Sequence, residues 1–110
     1  MSETPGYRHI VLFRIHDDVP DTTVDHAVEV ITELCSLPGV THADVTLSDD
    51  RRKGRVIVQN VRFADRDAFH TFRAHPRHAE AGALMRTIAD WWVGDYPEPS
   101  DTVAAPDLTK

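Results

Sequence analysis

A single cysteine, Cys35, stands in a chain of 110 residues. No disulfide can close within the chain, and metal sites built from several thiolates are excluded. A reducing compartment suits that usage. Basic residues are in deficit: 12 Lys and Arg face 18 Asp and Glu, for a formal charge of −6. That is the wrong sign for a protein held mainly by neutralising phosphates, so nucleic acid is not an expected partner. The longest basic run, Arg51-Arg52-Lys53 with Arg55 just beyond, follows Asp49-Asp50 and reads as a solvated turn. No apolar stretch approaches membrane-spanning length, and Met1-Ser2-Glu3-Thr4-Pro5 has neither the basic start nor the apolar core of a secretory signal. The expectation is a cytoplasmic protein with no membrane partner.

What is present is the pattern of one domain. A hydrophobic content of 41% with 27% charged residues is ordinary for a globular chain, and this length supports one core. Tyr7 to Ile15 alternates, with His9, Val11, Phe13 and Ile15 on one face and Ile10 and Leu12 on the other. From Asp21 the spacing changes to threes and fours through Val24, Ala27, Val28, Ile31, Leu34 and Cys35, the stripe of an amphipathic helix. Thr22 with Asp25 resembles a capping box at its start, and Leu37-Pro38-Gly39 stops it.

Val40 to Leu47 reads as a second strand, with Ala43, Val45 and Leu47 facing one way. Arg55 to Phe63 reads as a third, with Ile57, Gln59, Val61 and Phe63 opposite Val56 and Val58. Asp65 or Asp67 can cap a short helix whose inward face is Ala68, Phe69 and Phe72. Pro76 opens a further helix through Ala79, Gly82, Met85, Ile88 and Ala89, and Trp91 to Tyr96 returns as a strand.

Strand, helix, two strands, helices, strand is the order of a ferredoxin-like split βαβ fold. It is of the α+β class: a four-stranded antiparallel sheet with its helices on one face. The other face is left bare, and Ile10, Leu12, Val56 and Val58 make it apolar. A symmetric homodimer through that sheet face is the simplest closure. Residues 1–6 read as an extension, 7–96 as the domain, and 97–110, with its prolines and acids, as a flexible tail.

Four features in order resemble the stress-responsive A/B barrel family, Dabb, over Tyr7 to Tyr96. They are His9-Ile10-Val11-Leu12-Phe13, Leu37-Pro38-Gly39-Val40, His75-Pro76-Arg77-His78 and Asp95-Tyr96. The resemblance implies a dimeric α+β barrel, with a small-molecule cavity between sheet and helices in some members. The family is divided in function: some members are linked to stress without a settled activity, and others cyclise linear polyketides by aldol condensation.

In the cyclase branch, the residue matching His78 is the general base that takes a proton alpha to a carbonyl, and His9 matches a second cavity histidine. Structural alternatives stay open for both: His78 as a helix N-terminal histidine that stabilises the His75-Pro76 turn, His9 as a partly exposed strand-end residue. Phe72 stands where that branch has a tyrosine, and Ile57 where the compared cyclase has a further histidine, so two polar groups are lost. Gln59 offers a replacement donor. The expected ligand-binding wall is Val11, Phe13, Ile57, Gln59, Phe69, Phe72, His75 and Met85, enclosing a small aromatic or polyketide-like compound.

No cofactor is expected. No metal is expected either, since His75 and His78 lack a third ligand and Pro76 bends the backbone between them. Cys35 belongs to the core stripe rather than to a nucleophilic site. Trp91 and Trp92 point to opposite faces, so one at most lines a given cavity. His16, His26, His42 and His70 read as solvated surface. Three readings compete: a ligand-binding Dabb dimer, a polyketide cyclase-like enzyme using His78, and a non-catalytic stress-related dimer without a defined cavity. A cofactor-free monooxygenase on the same barrel is a weaker fourth.

Overall fold

Residues 5–99 are described by the computed structural model. In chain order the elements are β1 (Tyr7–Ile15), α1 (Asp21–Leu34), β2 (Val40–Leu47), β3 (Val56–Phe63), α2 (Arg66–Ala74), α3 (Pro76–Ile88) and β4 (Ala89–Pro97). The strands form one sheet in the order β2-β3-β1-β4, and every neighbouring pair is antiparallel. This is the ferredoxin-like arrangement, with β1 and β3 in the centre and three helices on one face.

Alternation along the strands decides what lies between sheet and helices. Tyr7, His9, Val11, Phe13 and Ile15 of β1 are all buried, as are Ile57, Gln59, Val61 and Phe63 of β3. Two apolar clusters fill the interior. One joins Val11, Phe13, Ile15 and Ile57 to Val24, Ala27 and Ile31 of α1 and to Met85 and Ile88 of α3. The other packs Tyr7, Val61 and Phe63 against Leu34, Phe69, Phe72 and Ala81. In the second, the Phe63 and Phe72 rings meet edge to face at 4.9 Å, a favourable aromatic geometry.

Turn chemistry explains the connections. α1 ends at Leu34, before the Leu37-Pro38-Gly39 signal, and Gly39, at φ +96°, supplies the left-handed conformation that reverses the chain into β2. A register shift between Val40 and His42 then inserts an extra residue into β2. The bulge lets Val40 and Ala43 both pack against the second cluster, although they lie an odd number of residues apart. Arg55 fastens the β1–α1 loop to the start of β3: it donates to the Asp21 carboxylate at 2.7 Å and to the Val19 carbonyl at 2.6 Å.

Three local expectations change. The capping box of Thr22 and Asp25 does not form; Pro20 is the N-cap residue of α1 and no side chain caps it. There Asp21, in the first turn, supplies the negative charge that favours a helix start. The last strand begins at Ala89, two residues before Trp91, because the Ala89 backbone is already extended and pairs with Ile15. The same strand runs through Pro97, and Glu98 remains attached, its amide donating to the Gly6 carbonyl and its carboxylate accepting from Arg62. The rest of the expected tail, from residue 100, lies outside the described residues, as does most of the 1–6 extension.

Asp65, not Asp67, caps α2: its carboxylate accepts from the Ala68 amide at 2.8 Å. Asp65→Ala therefore leaves one helix-end donor unpaired and is expected to lower stability by about 1 kcal/mol in urea unfolding. Asp67→Ala, made beside it, is expected to change the midpoint much less.

Candidate functional site

Between the β1–β4 half of the sheet and the helices lies a cavity of about 340 Å³. Its wall is mostly apolar, from Val11, Phe13 and Trp91 on the sheet to Ile31, Leu34, Phe69 and Met85 on the helices. Ligand pockets of small molecules commonly begin at about 300 Å³, so the volume suits a compact ligand. Gly82 also borders the space, and a Cβ at that position meets nothing within 4 Å.

His9 is the polar centre of the sheet side. It is 6% exposed in the middle of an apolar face, where an unpaired imidazole is costly. The antiparallel register sets Asp95 of β4 directly opposite, and the Nδ1 of His9 lies 2.5 Å from the Asp95 carboxylate. An ionised carboxylate only accepts, so Nδ1 donates. In the neutral ring that leaves Nε2 with the lone pair, the arrangement by which a carboxylate orients a basic histidine. The ring is braced by Phe69 at 5.1 Å and Phe72 at 6.1 Å between centroids.

His78 reaches the same cavity from the first turn of α3. Its ring stands edge-on to Phe72 at 5.3 Å. Half-burial, aided by the nearby charges of His9 and Arg73, pushes its pKa below the ordinary 6.5. At neutral pH His78 is thus held uncharged, with a lone pair available to accept a proton. The turn-stabilising role considered for it belongs to His75 instead. The Nδ1 of His75 accepts from the Arg77 amide at 3.1 Å and so caps α3, immediately before Pro76 at the first helical position.

Gln59 is 3% exposed on the cavity wall, and its amide nitrogen has no hydrogen-bond partner. A buried donor left unpaired costs roughly 1–3 kcal/mol, so a ligand oxygen or a water is its natural complement. Arg73 contributes a guanidinium from the exposed last turn of α2.

The structure thus brings together on one cavity wall His9, Val11, Phe13, Gln59, Phe69, His78 and Met85 of the residues expected from sequence. It does not place Ile57, Phe72 or His75 there. Ile57 is fully buried in the first cluster, and Phe72 packs against Phe63 behind the histidines. His75 is consumed by the helix cap. Sequence reasoning missed Asp95 as the partner of His9, and also Arg73, Ala81 and Val93. Same-face parity in the first and last strands was the available signal for Asp95. Trp91 is the tryptophan on the cavity, 5.7 Å from Phe13, whereas Trp92 is 63% exposed on the opposite sheet face.

Cys35 lies half-buried at the end of α1, and burial, with a smaller effect of the Asp44 charge, raises its thiol pKa. That disfavours a thiolate nucleophile. Among the described residues no cluster of three or more His, Cys, Asp or Glu side chains has the proximity to hold a metal ion, and no helix is long and apolar enough to cross a membrane.

A four-stranded antiparallel sheet with its helices on one face is a fold with many solved examples. The model of the stress responsive A/B barrel domain, Dabb, matches residues 7–98, and the chain belongs to that family. A hydroxynitrile lyase from Passiflora edulis is similar at a TM-score of 0.77 and 17% identity, over 90% of this chain and 98% of that one. A dimeric ferredoxin-like protein of unknown function from Thermobifida fusca reaches 0.76 at 20% identity, over 89% and 95%. SnoaB, a cofactor-independent oxygenase from Streptomyces nogalater, reaches 0.68 at 19% identity, over 97% and 100%. At these identities the likeness speaks for the fold alone. No curated protein matches the sequence.

The depressed pKa of His78 has a consequence for stability. Between its folded value and the unfolded 6.5, the unfolded chain binds more protons than the folded one. Stability from this side chain is therefore complete above about pH 6.5 and falls as the pH drops through that window. His78→Gln is expected to show a shallower loss of stability between about pH 7 and pH 5 than the parent, measured by urea midpoints. Equal slopes would place the acid sensitivity elsewhere.

Proposed function

We propose that this protein is a homodimer whose subunit cavity binds a small, largely aromatic compound. The observation that carries this reading is the cavity of about 340 Å³ with an apolar wall and the paired His9 and Asp95 on one side. A space of that size supports ligand binding over a purely structural dimer, for which no such cavity is needed. The lone, half-buried Cys35 thiol suits a reducing, cytoplasmic setting.

Support for the dimer comes from the opposite sheet face. Leu12 is 42%, Trp92 63% and Tyr96 43% exposed there, beside the half-buried Ile10, Val56 and Val58. Large apolar groups gathered on one face usually mark an interface. The similar structure from Thermobifida fusca is that of a dimeric protein. Burying this face against its copy would close two sheets into one barrel core. Trp92→Glu places a charge in that interface and is expected to shift the parent dimer towards monomer in sedimentation at micromolar concentration. A parent that is already a stable monomer at that concentration would remove the dimer from the reading.

Ligand binding is tested by thermal shift with a panel of one- and two-ring aromatics. A ligand at a hundredfold excess over its dissociation constant stabilises by about 2.7 kcal/mol, enough for a clear rise in Tm. Gly82→Leu directs a side chain into the open space at the cavity and is expected to abolish the shift while leaving the fold intact. No shift with any compound in the parent would sink the proposal.

A second reading, proton abstraction next to a carbonyl, is favoured by one specific observation. His78 is held uncharged at the wall that also carries His9 and Gln59. In that mechanism the neutral His78 imidazole accepts the proton, while the unpartnered Gln59 amide steadies the oxygen on which charge develops. Phe72 offers no hydroxyl for the task, so the stabilising donors come from the sheet. With a linear poly-β-ketone as substrate, His78→Ala is expected to slow product formation by roughly 10²-fold or more. A variant as fast as the parent would exclude His78 as the base.

A further inference from the structure

The polar groups around the cavity are unequal in sign. Gln59 brings an amide N–H₂ without a partner, and Arg73 brings five N–H donors and no acceptor. Arg73 takes part in no ion pair among the described residues. The one carboxylate on the wall, Asp95, already accepts from His9. In a chain of formal charge −6, this wall therefore carries one cation without a carboxylate partner among the described residues and one carboxylate that is already engaged.

The two donors also lie at different depths. Gln59 is buried on the central strand β3, whereas Arg73 sits on the exposed last turn of α2. The same lining carries Val11, Leu34, Phe69 and Met85, all apolar. A ligand that satisfies every part therefore has an oxygen at its deep end, a flat apolar body, and an anionic group at the rim. The space equals roughly eleven water volumes at about 30 Å³ each, which limits the body to about one or two fused rings.

We propose that the cavity selects aromatic carboxylates bearing a second oxygen, with the carboxylate on Arg73 and the keto or hydroxyl oxygen on the Gln59 amide. This rests on the ligand-binding reading above and adds the charge of the ligand to it. The positive charge that Arg73 places beside His78 is consistent with an anion-attracting rim. The guanidinium fork matches a carboxylate in two parallel hydrogen bonds, which a neutral carboxamide cannot reproduce.

The test compares a hydroxynaphthoate with its carboxamide by isothermal titration at neutral pH. The parent is expected to bind the carboxylate at least about tenfold more tightly, the value of one charge-assisted hydrogen bond. Arg73→Gln is expected to erase that preference. Gln59→Leu is expected to weaken both compounds about equally. Arg86→Gln, an exposed arginine of α3 outside the cavity wall, serves as the control of equal charge change and is expected to keep the preference. If the carboxamide binds the parent as well as the carboxylate, or if Arg73→Gln keeps the preference, the charge selection is wrong and ligand binding stands. If neither compound binds, both this inference and the ligand-binding reading fall.

Discussion

The geometry of the cavity depends on one part-buried polar contact, the hydrogen bond from the buried His9 to Asp95 across the β1–β4 ladder. An imidazole in the middle of an apolar sheet face is tolerated only with a partner. The partner comes from the strand that is last in sequence and adjacent in space. That pairing directs the ring, and with it the ring's second nitrogen. The aromatic side chains of α2 pack against the same ring, so helix and sheet positions are both referred to it.

Around that contact the sheet divides its labour by parity. Odd-numbered residues of β1 and β3 face the helices, where they build both core clusters and the cavity floor. Even-numbered residues face away and stay apolar in the centre, a pattern that a two-layer domain alone does not require. The cavity and the bare face are therefore two sides of one strand alternation. A one-residue slip in β1 would exchange them and destroy both at once.

Much of this was legible in the chain. The alternation of Tyr7 to Ile15, the stripe from Val24 to Leu34 and the reversal at Gly39 each have a local cause and each appear where that cause puts them, and of the two aspartates open as the α2 cap, Asp65 takes the role. The failures share a physical reason too. Thr22 and Asp25 have capping-box spacing, yet the chain enters α1 through Pro20, whose extended backbone sets the helix start earlier. His75 and His78 are one helical turn apart and indistinguishable by type. Only the backbone at Pro76 gives one to the cap and leaves the other beside Phe72. Ile57 has the parity of the cavity face, but the packed helices close over it.

Sequence by itself determined what depends on near neighbours: strand periodicity, helix stripe, turn signals, the α+β order and the family motifs that accompany it. It also determined which residue types are available to the site. Tertiary structure alone decided which of them meet. Asp95 reaches His9 from 86 positions away, and Trp91 rather than Trp92 faces the ligand space, because both outcomes follow from strand register. Register is set by the packing of the whole sheet against its helices, a sum over distant contacts that no local stretch of chain contains.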